Sequence, residues 1–176
     1  MTEKFVIKSP LEIDLKDVNE ICNLKDQHWP LGLKKQFGLW FVITSETDRL
    51  FFLEKNNKKI GFLRLKKRQI LINNTTNNSF YLTEVCIDKK FQNRGWGKKI
   101  MKTSQDFIRK KKMNSYLLCN IDQQKFYKKL GWEPLEEINC SESLKSNKKK
   151  ISEDKICFFY NLKNVNQKIT LIGKLF

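Results

Sequence analysis

Residues 92–97 read Gln92-Asn93-Arg94-Gly95-Trp96-Gly97 and lie between two contrasting sequence patterns. An apolar, strand-like run at residues 80–87 precedes them, and an amphipathic helical pattern begins near Gly95. The start of a helix leaves backbone N–H groups unpaired and carries the positive end of the helix dipole, so it attracts anions. A glycine-bearing turn that enters a helix therefore predicts a site for a phosphate or pyrophosphate group.

The turn by itself leaves two interpretations open. Two glycines one residue apart are common by chance, and the chain lacks the third glycine and the downstream acidic residue of a dinucleotide-binding fold. It also lacks the Gly-Lys-Ser or Gly-Lys-Thr ending of a P-loop. An anion site and an ordinary tight turn both fit these residues.

Length and composition indicate a single domain over residues 1–176. A chain of 176 residues with 40% hydrophobic content can bury one sizeable core, and it is too short for two. No run approaches the roughly 20 apolar residues that span a bilayer, and the N-terminus lacks a signal-peptide pattern, so we expect a cytoplasmic protein without membrane contact. The five cysteines are widely spaced, so we expect reduced buried thiols and no metal.

The net charge of +16 is compatible with three interpretations. These are a general lysine bias with solvated faces, the attraction of an acidic ligand, and the binding of nucleic acid. Lysines occur along nearly every segment, and the short basic clusters at 66–68, 110–112 and 148–150 are far apart. They lack the interleaved aromatic residues of a single-strand binding surface. Nucleic acid is therefore not the partner that we expect.

The periodicity of apolar residues predicts a mixed sheet of about six to seven strands, flanked by helices. The strand-like runs are 5–8, 49–54, 60–65, 80–87, 115–119 and 156–162. The turn at residues 56–59 separates the second run from the third and predicts a hairpin. The helical patterns are 15–24 with Asp14 as N-cap, 33–41, a helix from Gly95 into the basic run 109–112, and 122–130 closed by Gly131. Residues 73–79 and 141–155 are predicted to be polar loops, the first without core-forming residues. This order indicates an α/β or α+β fold with parallel strands around the glycine turn.

Two motifs together point to a family. The first is Val85-Cys86-Ile87, followed five residues later by the Gln-x-x-Gly-x-Gly turn. The second is Asn120, seven residues before Tyr127 in the segment Phe126-Tyr127-Lys128-Lys129-Leu130-Gly131-Trp132. Over residues 81–132 the chain resembles the GNAT superfamily of N-acetyltransferases. The resemblance implies a single-domain GNAT-like fold and acetyl-coenzyme A as the acetyl donor.

The resemblance also implies how the donor is held. The backbone N–H groups of the glycine turn would bind the pyrophosphate, with charge-assisted contacts from Arg94, Lys98 and Lys99, for which a solvated surface is the alternative. The end of the strand would pair with the pantetheine amides, and the N–H of Cys86 or Ile87 would polarise the thioester carbonyl. The implied cofactor-binding residues are Val85, Cys86, Ile87, Gln92, Asn93, Arg94, Gly95, Trp96, Gly97, Lys98 and Asn120. For Asn120, a helix-capping role is the alternative.

The resemblance places Tyr127 as the general acid that protonates the departing thiolate, with simple packing as the alternative. Family members often carry a glutamate base on the strand, four or six residues before the position of Ile87. Here those positions hold Thr83 and Tyr81. The nearby Glu84 is three residues before Ile87, so in a regular strand its side chain points to the face opposite that of Thr83. A bulge could reorient Glu84 as a base, and a structural or surface role is the alternative. The single histidine, His28, is interpreted as structural, with a catalytic role as the alternative.

These observations predict an N-acetyltransferase that acts on an unidentified primary amine by direct attack in a ternary complex, without a covalent enzyme intermediate. Two alternatives remain at this stage. One is a basic module on the same fold that binds nucleic acid or ribosomes, and the other is a catalytically silent acyl-coenzyme A sensor. A homodimer is compatible with each of them.

Overall fold

The computed structural model describes residues 2–135, 138–141, 149–150, 154–162 and 168–173 of the chain, with only the backbone at 149–150. Within these ranges the fold is mixed α/β, as predicted, with four α-helices and ten strands rather than six to seven. The helices are α1 (Leu15–Asp26), α2 (Leu33–Ile43), α3 (Trp96–Lys110) and α4 (Gln124–Lys128). The strands are β1 (Glu3–Lys8), β2 (Arg49–Lys55), β3 (Lys58–Ile72), β4 (Thr75–Ile87), β5 (Asn114–Asn120), β6 (Glu133–Leu135), β7 (Ile138–Ser141), β8 (Lys149–Lys150), β9 (Lys155–Tyr160) and β10 (Ile169–Ile172).

The chain forms two compact units, each built from two separate segments. The first unit contains Met1–Lys66 and Leu82–Ser104, and the second contains Lys67–Tyr81 and Gln105–Phe176. The elements β3, β4 and α3 contribute residues to both units. The expectation of one domain over the whole chain remains a prediction.

In the first unit, β1 pairs antiparallel with β2, and β2 pairs antiparallel with β3. Asn56 and Asn57 connect β2 to β3 with φ of 49° and 60°, which confirms the predicted hairpin and suits a tight two-residue turn. The side chain of Asp14 accepts a hydrogen bond from the N–H of Asp17 at 2.7 Å, so the predicted N-cap of α1 is also confirmed. The core joins α1, α2 and the strands through buried apolar residues: Val18, Ile21, Cys22, Leu24, Trp40, Leu50, Phe52, Phe62 and Cys86.

In the second unit, β4 and β5 are parallel neighbours over three residues, from Ser79↔Asn114 to Tyr81↔Tyr116, which confirms the predicted parallel pair. β5 pairs antiparallel with β9, and β9 pairs antiparallel with β6. β10 lies antiparallel to β3 and parallel to β7. The rings of Tyr81, Tyr116 and Phe159 stack in the core of this unit, with centroid separations of 5.0 and 5.6 Å.

The prediction of a loop at residues 73–79 is wrong. β3 runs to Ile72 and β4 starts at Thr75, so only Asn73 and Asn74 form the turn, with φ of 49° and 65°. Asparagine adopts this left-handed conformation more readily than most residues, and its amide pairs with the backbone locally. Ser79 is fully buried and donates a hydrogen bond from Oγ to the carbonyl of Asn114 at 3.3 Å. A polar strand therefore joins the sheet through satisfied hydrogen bonds.

The predicted strand count was low because short strands carry little periodicity. β6, β7, β8 and β10 have two to four residues each, and none was predicted. The predicted loop at 141–155 lies largely outside the described residues. Of its described residues, Ser141 ends β7, residues 149–150 pair with β7, and Lys155 begins β9. The helix predicted at 122–130 is a short 3-10 turn followed by α4, and Gly131 follows with φ of 76°, as its predicted closing role requires.

Candidate active site

The glycine turn follows the end of β4 in the first unit and leads into α3, in the order that the sequence predicts. Asn93 and Gly95 adopt φ of 59° and 79°, and α3 begins at Trp96. The N–H of Lys99 donates to the carbonyl of Gly95 at 3.1 Å, so the N–H groups before Lys99 form the open first turn of the helix. A Cβ built at Gly95 meets nothing within 4 Å, so the space beside this turn is open to a ligand.

Cationic side chains surround the turn at the surface. Arg94, Lys98 and Lys99 are exposed, and Lys99 forms an ion pair with Glu3 at 3.0 Å. The ring of Trp96 is buried, and the Nζ atoms of Lys99 and Lys55 lie 4.1 and 5.5 Å from its centroid. The indole therefore anchors the start of α3, while its backbone N–H belongs to the open first turn.

Glu84 interrupts β4, because it adopts φ of 57° inside the strand. Its carboxylate forms ion pairs with Lys25 of α1 and with Nε of Arg64 of β3, the latter at 2.7 Å. The side chains of Lys25, Arg64 and Glu84 are 5%, 0% and 12% exposed, so these charges are largely removed from water. Both oxygens of the predicted base thus face cations, and these contacts support the structural alternative.

Arg64 extends this buried network toward the end of α2. Its Nη1 donates to Oγ1 of Thr44 at 2.9 Å and lies 3.5 Å from the carboxylate of Asp48. The guanidinium group also lies 4.4 Å from the ring centroid of Trp40. A planar cation with several donors suits such a position, where it contacts two acids, a hydroxyl and a ring together.

The last residue of β4 is held by side chains distant in sequence. His28 Nε2 lies 2.8 Å from the carbonyl oxygen of Ile87, and Gln92 Nε2 donates to the same oxygen at 3.3 Å. A Cβ at Gly61 of β3 would lie 2.6 Å from Cδ1 of Ile87, so glycine permits close approach there. The contact of His28 was not predicted, and no local sequence signal reveals it, because 59 residues separate the two partners.

The cysteines near the motifs are poor nucleophiles. All five cysteines are free thiols, and Cys86 and Cys119 are buried, as predicted. Burial raises the pKa of the Cys86 thiol far above its ordinary value, and the charge of Glu84 raises it further. Burial and Asp122 raise the pKa of Cys119 to about 11. Because the thiolate is the reactive form, these thiols do not support a covalent intermediate.

Tyr127 lies in the second unit on α4 and is 8% exposed. Its ring packs against Phe126, Trp132 and Phe158, with centroid separations of 5.1, 6.4 and 6.0 Å. Burial raises the pKa of Tyr127, and Cys119 adds to this shift. The phenol therefore holds its proton near neutral pH, and the same shift makes it a weaker acid than an exposed tyrosine.

Asn120 also lies in the second unit, at the exposed end of β5. Its Oδ1 accepts a hydrogen bond from Nζ of Lys155 on β9, and its side chain does not cap the turn that follows. The capping alternative is therefore not observed. The predicted site residues divide between the units: Asn120 and Tyr127 belong to the second, and the remaining cofactor-binding residues and Glu84 belong to the first.

Metal-binding clusters and membrane-spanning helices are both absent from the described ranges. No group of three or more His, Cys, Asp or Glu side chains there is arranged to hold a metal ion. Across the same residues, no helix combines the length and the apolar character needed to cross a bilayer.

Comparisons with known proteins give one family match. The sequence profile described as "Acetyltransferase (GNAT) domain" matches residues 46–134, just over half of the chain. A search of curated protein sequences found no match.

Solved structures share the fold at low sequence identity. Escherichia coli ElaA superposes with a TM-score of 0.66 and 12% identity, covering 90% of this chain and 99% of its own. The ribosomal-protein-S18-alanine N-acetyltransferase from Escherichia coli has a TM-score of 0.61 and 15% identity, with coverages of 93% and 98%. An aminoglycoside 6'-N-acetyltransferase complexed with coenzyme A has a TM-score of 0.62 and 10% identity, with coverages of 88% and 96%.

Proposed function

Because the chain belongs to the GNAT acetyltransferase family, we propose that it transfers an acetyl group from acetyl-coenzyme A to a primary amine, by direct attack in a ternary complex. The observation that carries the proposal is the glycine turn at the start of α3. Left-handed Asn93 and Gly95, the open first turn of the helix and the open space beside Gly95 together make a site for a pyrophosphate group.

In the proposed reaction, the neutral amine attacks the thioester carbonyl carbon and a C–N bond forms. The tetrahedral intermediate then collapses, the C–S bond breaks, and the amide nitrogen loses its extra proton. We assign Tyr127 as the donor of the proton that the departing thiolate receives. Its support is its place in the family motif and the chemistry of a phenol, which carries its proton near neutral pH.

The amine proton also needs an acceptor, for which Glu84 and water are the two candidates. Glu84 was the predicted base, and its carboxylate is held between Lys25 and Arg64. A proton on Glu84 would weaken these ion pairs, whereas water as the acceptor would leave them intact. If water is the acceptor, Glu84→Gln should retain turnover in whatever fraction of the protein remains folded.

The position of Glu84 also supports one alternative, a silent acyl-coenzyme A sensor. A chain without an available base would bind the donor and release it unchanged. The two functions differ in one measurement, because only the enzyme produces free coenzyme A in the presence of an amine.

The test starts with calorimetric titration of acetyl-coenzyme A into the wild-type protein and into Gly95→Val. Gly32→Val is the matched control, because Gly32 has φ of 82°, close to the 79° of Gly95, and also faces open space. We expect at least tenfold weaker binding for Gly95→Val and nearly unchanged binding for the control. A panel of small amines, peptide N-termini and lysine peptides, assayed for thiol release, then identifies the acceptor. Equal affinity in both glycine variants would contradict the assignment of the turn.

A further inference from the structure

The carbonyl of Ile87 is the hydrogen-bond acceptor for two side chains at once. His28 follows α1 and Gln92 follows β4, and they reach the oxygen at 2.8 and 3.3 Å. A carbonyl oxygen only accepts hydrogen bonds, so His28 must carry a proton on Nε2. Both side chains are therefore donors, and together they occupy the two lone pairs of the carbonyl oxygen.

The neighbouring peptide group shows which way this carbonyl points. The N–H of Asp88 donates to the carbonyl of Ile60 on β3 at 2.8 Å. The Ile87–Asp88 peptide is trans, so the carbonyl of Ile87 points away from β3. In an extended residue the N–H and C=O groups face the same edge of the strand. The N–H of Ile87 therefore faces the edge at which His28 and Gln92 meet the carbonyl.

We propose that His28 and Gln92 cap the Ile87 carbonyl so that this edge presents the Ile87 N–H to the thioester oxygen of acetyl-coenzyme A. This inference rests on the proposed function. Negative charge develops on the thioester oxygen when the amine attacks, and a fixed N–H group stabilises it. An uncapped carbonyl on the same edge would repel that charge. His28 and Gln92 are thus positioning residues, because they act through the backbone of Ile87.

The same segment is held at further points, which makes the N–H a fixed donor. Gln27 Oε1 accepts a hydrogen bond from the N–H of Lys89 at 2.9 Å, and the carboxylate of Asp88 accepts one from the N–H of Lys90 at 3.0 Å. The side chain of Ile87 packs over Gly61, where a Cβ would lie 2.6 Å from its Cδ1 atom. A donor that does not need to reorganise during the reaction stabilises charge more effectively.

The design of the test separates this role from that of a catalytic base. His28→Gln keeps an N–H donor at a similar reach and removes the basic ring nitrogen. His28→Leu removes both. A positioning role therefore predicts rescue by glutamine, whereas a base predicts that glutamine and leucine are equally inactive.

The measurement is the affinity of each variant for acetyl-coenzyme A relative to coenzyme A, by calorimetry. In His28→Leu the ratio of the affinity for acetyl-coenzyme A to that for coenzyme A should fall by about fivefold, which corresponds to the free energy of one neutral hydrogen bond. In His28→Gln this ratio should remain close to the wild-type value. Gln92→Leu should show a smaller fall, because its contact is longer. With acetyl-coenzyme A labelled by ¹³C at the carbonyl, the bound-state NMR shift should move toward the free value in His28→Leu and not in His28→Gln.

Each outcome decides the proposal. If the wild-type protein does not bind acetyl-coenzyme A, both the proposed function and this inference fail. If it binds, and His28→Leu keeps the wild-type preference and carbonyl shift, only the inference is overturned. If His28→Gln loses turnover but keeps the wild-type preference for acetyl-coenzyme A over coenzyme A, His28 is a base, and the positioning role is overturned. If circular dichroism shows that His28→Leu does not fold, Gln92→Leu decides by the same two readouts.

Discussion

Glu84→Gln should destabilise the protein strongly, although the substitution changes only one charge. In the wild-type protein the carboxylate of Glu84 lies between Lys25 and Arg64, whose side chains are 5% and 0% exposed. In the glutamine variant both cations stay buried but lose the charge of this carboxylate. Within the described network, the carboxylate of Asp48, 3.5 Å from Arg64, then remains close to them. Removing one partner of a buried ion pair costs about 3–5 kcal/mol. We expect about 3 kcal/mol, since the amide oxygen can still accept one hydrogen bond and Glu84 is 12% exposed.

The assay is urea-induced unfolding followed by circular dichroism, with Glu46→Gln as the control, because Glu46 is an exposed glutamate in the same unit. The control should change the free energy of unfolding by less than about 0.5 kcal/mol. A Lys25→Met background should reduce the effect of Glu84→Gln by about 1–3 kcal/mol, because one of the two orphaned cations is then gone. A Glu84→Gln variant as stable as the control would refute the argument that the buried cations depend on this carboxylate.

Three further predictions concern other parts of the molecule. Tyr127→Phe should lower turnover of an identified amine by roughly 10²-fold and leave the affinity for acetyl-coenzyme A unchanged. The control Tyr160→Phe should keep both the turnover and the affinity of the wild type. Wild-type turnover in Tyr127→Phe would exclude the phenol as the acid. Burial raises the pKa of Tyr116 and Tyr127 and of the buried thiols, so the unfolded chain releases these protons first as pH rises. The free energy of unfolding should then fall above about pH 8.5, with a shallower fall in Tyr116→Phe, as pH-dependent urea unfolding would show. Gly61→Ala should lower the free energy of unfolding by about 1 kcal/mol, because its Cβ would lie 2.6 Å from Cδ1 of Ile87, a side-chain end that can shift, and 3.3 Å from Cβ of Leu53. An unchanged urea midpoint would contradict these contacts.

The features predicted correctly from the sequence are those that depend on neighbouring residues. The N-cap at Asp14, the hairpin at residues 56–57 and the strand, glycine turn and helix around Gly95 each follow from a few adjacent side chains and their backbone preferences. The family could be identified for the same reason, because its motifs are short and continuous. Strand β10 was missed because it has four residues and pairs with distant strands.

The sequence by itself determined the mixed α/β class, the place of the glycine turn and the identity of Tyr127 as the candidate acid. The tertiary structure alone decided the environment of Glu84. The alternation of side chains along a strand could not predict it, because Glu84 has a left-handed backbone conformation that breaks this alternation. Its carboxylate instead forms ion pairs with Lys25 of α1 and Arg64 of β3. It likewise decided the contact between His28 and Ile87, which are 59 residues apart. Such contacts depend on how whole elements pack, and packing brings together residues that no local periodicity relates.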